Sequence, residues 1–475
     1  MNASSRPTLP SRFALAAVIH AGVLLVGLAW RYGGMDPIGR QWAAWALVPT
    51  PFLTLAAWRE APPDLQRKAL ALLLPLLGLI TLVIVSALNP NMTMQTIAGR
   101  DVLRPIAHHA WLPSSMAPGT TVRNFAFVAG MLLVGINLLL ARPPRSWLFR
   151  LLLVLVLNAT ALAIVGTVLK LTGATKILGI TESPNPNFFS AFVYHNHWGA
   201  YALIAAGGAF GLCFRAERQR TEPLTMSPVP VYALLGTLLL LTLPLSTARG
   251  STAAGAVFAI VILGFEVRRA TRRGFQWGRI GAITVVVIGL LAAGGWLAER
   301  SIRGELQVSI EQLAASRAGQ VGEARRVIYA DTIKLIEQRP VFGWGWNTFP
   351  HAYRLVQTPM PGPETRFKRR YVTDAHSDWL EFTTEMGFVG LALWLTLAAG
   401  WVRWAGWSAF KSSPSREIAV GCAALASLAV IDFPAACPAV ALSAIVYASI
   451  AAELGRTRRR SSSGTAPESA TPSIA

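Results

Sequence analysis

The sequence predicts an all-α integral membrane protein of about twelve transmembrane helices, with one large helical loop on the outer side. Three observations lead there. Of 475 residues, 53% are hydrophobic and only 14% charged, too apolar a balance for an ordinary soluble chain. Apolar runs close to the roughly 20 residues needed to cross a bilayer recur along most of the length. The formal charge of +20 is carried by Lys and Arg in short clusters between those runs, which assigns it to membrane topology and not to nucleic-acid binding.

Taken in order, the runs fall near 13–30, 41–58, 69–88, 125–141, 148–169, 196–214, 229–246, 251–267, 280–298, 379–402, 416–433 and 435–453, the run at 41–58 giving the weakest signal. No small-residue cleavage site follows the first, so it reads as a retained helix and not a signal peptide. With the N-terminus placed in the cytoplasm, the inner segments hold 23 Lys and Arg and the short outer segments 8. The other 12 lie in the long loop, where the positive-inside rule does not apply. Both ends are therefore expected inside. The chain divides into nine helices over 1–298 with an outer loop at 89–124, a large outer loop at 299–375, three helices over 376–455, and a Ser-, Thr- and Pro-rich tail at 456–475 that is expected to be disordered.

Pro90, Pro105, Pro113 and Pro118 make the 89–124 loop read as irregular and partly ordered. In the larger loop, Gly322–Gln338 sets Val327, Ile328, Ile333, Leu335 and Ile336 among Arg325, Arg326, Lys334 and Glu337. That pattern predicts a helix with one apolar side, lying on the bundle or in the headgroup layer. Pro340 and the turn Gly343-Trp344-Gly345-Trp346 end it. Cys213, Cys422 and Cys437 have no spacing of a metal site or disulfide framework. No internal repeat is visible.

Charge near the membrane needs a reason. Two readings fit Arg249 in Ser246-Thr247-Ala248-Arg249-Gly250-Ser251: a turn arginine snorkelling to headgroups, or a guanidinium holding an anionic phosphate by paired hydrogen bonds. His376, in Asp374-Ala375-His376-Ser377-Asp378, lies where the long loop re-enters the membrane. It suits a general base toward a sugar hydroxyl, and a helix-capping histidine would look the same. His195 and His197, around Asn196, have no third ligand nearby, so they are expected to line a polar cavity and no metal site is expected. His20, His108, His109 and His351 read as surface or interface residues. The basic run Arg366, Lys368, Arg369 and Arg370 is either a solvated patch or a recruiter of a phosphorylated acceptor. With no P-loop, dinucleotide motif or paired-carboxylate metal motif, the sequence argues against an ATP-driven pump.

Together these stretches resemble the O-antigen ligase/polymerase family over roughly 185–440. The resemblance rests on Phe192–Tyr201, Ser246–Gly255, Arg325 through Pro340–Phe349, His376–Gly390, and Ile431-Asp432-Phe433-Pro434 with Pro438-Ala439. His195 departs from it, because many relatives carry Arg or Lys before the Asn. The resemblance implies a GT-C-like bundle in a bacterial inner membrane, its large loop and active site periplasmic. It further implies an inverting glycosyltransferase whose donor is a glycan on polyprenyl (undecaprenyl) diphosphate. On that basis Arg249, Arg325, Asn196 and His197 are expected to hold the diphosphate, with Arg249 also assisting catalysis. His376 activates the acceptor hydroxyl, and Arg366, Arg369 and Arg370 bind the acceptor. No cofactor or metal is expected. The partners are the lipid-linked donor, a lipid A-core acceptor and membrane lipids, with no nucleic acid. Ligation onto lipid A-core leads; polymerisation onto another lipid-linked repeat and transfer to protein Ser or Thr are the alternatives. A transporter is the reading from another class, with Asp432 the main acidic residue available to it.

Overall fold

The computed structural model describes residues 10–97, 100–272, 320–358, 372–407 and 409–462. The chain opens with helices α1 (Ala14–Trp30), α2 (Pro37–Leu47), α3 (Thr50–Glu60) and α4 (Pro63–Leu88). A hairpin, β1 (Met92–Ile97) and β2 (Arg100–Pro105), precedes α5 (Pro118–Ala141) and α6 (Arg145–Leu171). After a two-residue strand pair come α7 (His195–Gln219), α8 (Val229–Leu245) and α9 (Arg249–Arg272). Beyond these lie α10 (Gln320–Gln338), the short α11 (Phe349–Ala352), α12 (Asp378–Ala405), α13 (Ser415–Leu428) and α14 (Pro438–Ser462).

Seven of these helices are long and apolar enough to cross a membrane: α4, α5, α6, α7, α9, α12 and α14. The apolar α1 and α8 are shorter, at 17 residues each. The run expected at 41–58 is not one helix. It is split at Val48-Pro49 into two 11-residue pieces, because Pro49 and Pro51 withdraw backbone donors at the junction. The run at 416–433 yields only the 14 residues of α13, which stops before the Asp432-Phe433-Pro434 turn. The run at 280–298 lies outside the described residues. Among the described residues, sheet is confined to two small hairpins, the first pairing Met92 with Pro105 through Ile97 with Arg100, in the loop read from sequence as irregular and partly ordered.

The middle of the bundle is α7. Its residues from His197 to Ala209 are all buried, many of them Gly or Ala, and its Gly207 lies so close to α13 that an added Cβ would meet the Glu417 carbonyl oxygen at 2.9 Å. Small side chains permit such close helix contact where lipid supplies no hydrophobic drive. One apolar core joins α1, α6, α7 and α14, and a second joins α4, α5 and α12. A third, smaller core lies at one end of the bundle, the site end. There Ile328 and Leu335 of α10 pack with Trp344, Phe349 and Tyr353, and with Met92 and Leu103 of the hairpin. Ile333, expected on the apolar side of α10, is 46% exposed, so the buried stripe follows Ile328 and Leu335.

Helix α12 is broken at Gly387 (φ 63°, ψ −173°), and the segment after α10 fills the break. The carbonyls of Thr384 and Glu385 accept from Trp344 N (3.0 Å) and Gly345 N (2.8 Å), while Phe388 N and Val389 N donate to Pro340 O (2.8 Å) and Val341 O (3.1 Å). Four backbone groups that the break would orphan are thus satisfied, as helix ends at membrane depth require. Gly343 and Gly387 permit this approach. Both have positive φ, and a Cβ on either would lie 2.3–2.4 Å from the opposing backbone.

Candidate functional site

The site is assembled around the ring of Phe433, in the turn between α13 and α14. Tyr194 stacks on it at 5.3 Å, while His197 and His376 meet it edge-on at 5.4 and 5.1 Å. Three of the sequence stretches singled out above therefore share one aromatic plate. Asn196 donates to Tyr194 Oη at 2.8 Å and lies close to the buried Asp432. Next to this plate, Asn196, His197, Ser251, Leu428, Asp432 and Pro434 line a narrow cleft, about 170 Å3 including the part open to its surroundings and too tight to hold a water.

Ser251 reaches the cleft because α9 begins hard against α7. A Cβ on Gly199 would meet Ser251 Oγ at 2.4 Å and Ala248 Cβ at 3.1 Å. The same turn brings Gly250 beside Leu428 and Ile431. Arg249 opens α9 at this point, with Thr247 before it held at φ 62°. Its side chain is exposed and makes no hydrogen bond or ion pair among the described residues. Arg325 comes from α10 and donates to Ile431 O at 3.4 Å, close enough to act electrostatically on Tyr194, His376 and Asp432.

His376 is bound on every side except its ring nitrogens. Its carbonyl accepts from Tyr329 Oη of α10 at 2.9 Å, and Ser377 caps α12 through Leu380 N. Its φ of 53° lies in the left-handed region, uncommon outside glycine and costly enough to mark a constrained position. Nδ1 is buried with no hydrogen-bond partner among the described residues. Burial and then the Arg325 charge hold the imidazole below its ordinary pKa, against a smaller opposing pull from Asp374. The ring is accordingly neutral at pH 7 and able to take a proton. Burial chiefly, with the Asp432 charge behind it, pushes the Tyr194 phenol up to about 12, so it stays protonated.

One feature was not read from the sequence. Asp378, Glu381 and Glu385 lie at i, i+3 and i+7 on one face of α12, and each carboxylate grips the backbone of a different segment. Asp378 accepts from Ala435 N at 2.9 Å, Glu381 from Ala375 N at 2.8 Å, and Glu385 from Phe349 N at 2.9 Å. The helix thereby gathers the Phe433 turn, the His376 approach and the loop after Trp346. Their helical spacing was visible, but their partners lie 57, 6 and 36 residues away. Tyr329 was likewise missed, since one hydroxyl on an amphipathic helix carries no local signal.

Residues 234–395 match the family model described as O-Antigen ligase. Over this stretch the chain is similar to the O-antigen ligase family. No curated protein matches the chain. The seven apolar helices among the described residues, together with this match, mark a multi-pass membrane protein. The matched stretch holds Arg249, Arg325, Tyr329, His376 and the acids of α12. The fold adds to it Tyr194, Asn196 and His197 from before and Asp432 and Phe433 from after. Of the predicted acceptor-binding residues, Arg366, Arg369 and Arg370 lie outside the described residues. His108, read as a surface or interface residue, lies 3.3 Å from Arg339 Nη2, and that guanidinium lies 4.4 Å over the Trp344 ring.

Proposed function

We propose that this protein is an O-antigen ligase, transferring a glycan from undecaprenyl diphosphate to a lipid A-core sugar at the periplasmic face of the inner membrane. The observation that carries the reading is the meeting of His376, His197 and Tyr194 at Phe433, with Arg325 bonded to the nearby Ile431 carbonyl and the Arg249 turn alongside. A neutral imidazole with an unpartnered buried nitrogen suits removal of a proton from an acceptor hydroxyl. The hydroxyl oxygen then attacks the anomeric carbon as its bond to the diphosphate oxygen breaks, inverting that centre in one displacement. Negative charge grows on the departing diphosphate, and preoriented guanidinium groups stabilise it without reorganisation. Arg249, unengaged among the described residues, and Arg325, hung on one long hydrogen bond, are cations placed to do this. Asn196 and His197 border the same cleft, and Arg366, Arg369 and Arg370 are assigned to the acceptor.

The test is transfer by the purified full-length protein in proteoliposomes, with a lipid-linked glycan and lipid A-core. His376→Ala should reduce transfer by roughly 100- to 10,000-fold. Arg249→Ala should slow it while leaving the fold intact. Full activity in His376→Ala would remove the histidine from the mechanism. Products extended on lipid-linked repeats and not on core would make the enzyme a polymerase.

A further inference from the structure

Between the β1–β2 hairpin and α5 the chain makes a tight turn, His109–Leu112, closed by Leu112 N donating to His109 O at 3.1 Å. Trp111 stands at its tip, 75% exposed. Asn89, buried at the end of α4, fixes the turn from below. Its Nδ2 donates to His109 O at 2.9 Å and to Pro113 O at 3.0 Å, while its Oδ1 accepts from His109 N at 2.9 Å. One buried amide thus holds both ends of a turn that carries a large aromatic ring away from every core.

The level of Asn89 in the bilayer follows from α4. No charge lies between Lys68 and Asn89, and the rise from Ala69 to Leu88 is roughly 30 Å at about 1.5 Å per residue, the thickness of a hydrocarbon core. Leu88 therefore marks the edge of the core at the site end, and Asn89 lies just past it. The exposed residues Leu74, Leu77, Thr81, Ile84 and Leu88 recur at helical spacing, so this side of α4 faces lipid along its length and runs up to the clamp.

We infer that the Trp111 turn is seated in the lipid headgroup layer at the site end, its indole packed among headgroups and the first acyl carbons. Two observations select a lipid surface over a glycan or a protein. The turn is hydrogen-bonded to the residue after Leu88, itself 79% exposed at the top of the lipid-facing stripe, so the two surfaces are continuous. The ring is also suited to that layer, with an apolar body and one N–H for a wet neighbour. The seat reaches the candidate site through the chain around it. Asn91 O accepts from Ile106 N at 3.1 Å, Asn91 N donates to Ser115 O at 3.1 Å, and Met116 N donates to Trp344 O at 3.2 Å. Met92 and Leu103 of the hairpin then pack with Ile328 and Leu335 of α10. Seating the turn thus sets the level above the core at which α10 presents Arg325 and Tyr329.

The experiment measures depth by spin-label accessibility in the full-length protein, reconstituted in vesicles of phosphatidylethanolamine and phosphatidylglycerol. A nitroxide is attached at Ala110→Cys, an exposed position that leaves Trp111 in place, and the unsubstituted protein supplies the background from its own cysteines. Collision with oxygen and with a water-soluble nickel chelate should place the label within about 5–10 Å of one at Leu88→Cys. Trp111→Cys, labelled in the same way, gives a second reading of the same depth if the first variant fails to fold. A label at Ala110→Cys as open to the chelate as a free nitroxide in water would overturn the inference. So would protection from the chelate that arises only when lipid A-core is added, since Trp111 would then be a glycan contact.

Discussion

His376 shows how a single residue is prepared for chemistry. Its left-handed backbone is held by Tyr329 on one side and by the Glu381–Ala375 bond on the other, while its ring rests on Phe433. A side chain so constrained loses little freedom on meeting substrate, which is where positioning gains rate. Its titration is set by burial and Arg325, with Asp374 opposing. Because the neutral form is the base, activity should rise with pH through the lowered pKa, placing the acid limb below the usual imidazole value of about 6.5. Arg325→Ala removes a nearby positive charge and should move that limb to higher pH; Asp374→Asn should move it lower. A pH–rate profile checks both, and a limb that ignores the two substitutions would dissociate His376 from the titration. His376 and Arg325 were both legible from sequence because their stretches carry a family resemblance. Tyr329 was not, since its value lies wholly in a bond across 47 residues.

At the scale of elements, the broken helix α12 is the part on which the site depends. Gly387 opens the break, Gly343 lets the following loop enter it, and three carboxylates along one face hold the segments that bring His376 and Phe433 together. Gly387→Ala would put a Cβ 2.3 Å from the Val341 carbonyl oxygen at a φ of 63°. It should cost about 1–3 kcal/mol or more, visible as a lower unfolding temperature in detergent. An unchanged transition would mean that the loop does not dock there. The Pro340–Trp346 turn was apparent from its Pro and Gly residues, but its docking partner was not, because the break in α12 comes from one glycine within a continuous apolar run. Apolar periodicity likewise announced the runs at 41–58 and 416–433 as spans, where Pro49, Pro51 and the Asp432-Phe433-Pro434 turn decide otherwise.

Over the whole molecule, the two ends of the bundle are built differently. The site end exposes cations with few partners, whereas the opposite ends of α7, α9 and α13 are tied by a compact ionic network. Arg416 bonds Glu417 at 2.6 Å and Glu266 at 2.9 Å, and Glu266 also meets Arg269 at 3.1 Å and Arg218 at 3.6 Å. Glu417 is wholly buried, so Glu417→Ala should cost about 1.5–3 kcal/mol through the lost charge-assisted bonds, Arg416 keeping only Glu266; thermal unfolding would reveal it, and an unaltered midpoint would contradict it. Membrane class and apolar runs were plain in the composition, while the convergence of residues 194–197, 249–251, 325–329, 376 and 431–433 follows only from three-dimensional packing. The account as a whole meets its most direct test in the lipopolysaccharide of a strain lacking this gene, run on a gel beside its extracted lipid-linked glycans. Bare core with accumulated full-length lipid-linked polymer, restored by wild type and not by His376→Ala, is the predicted result. An unchanged lipopolysaccharide pattern would contradict it.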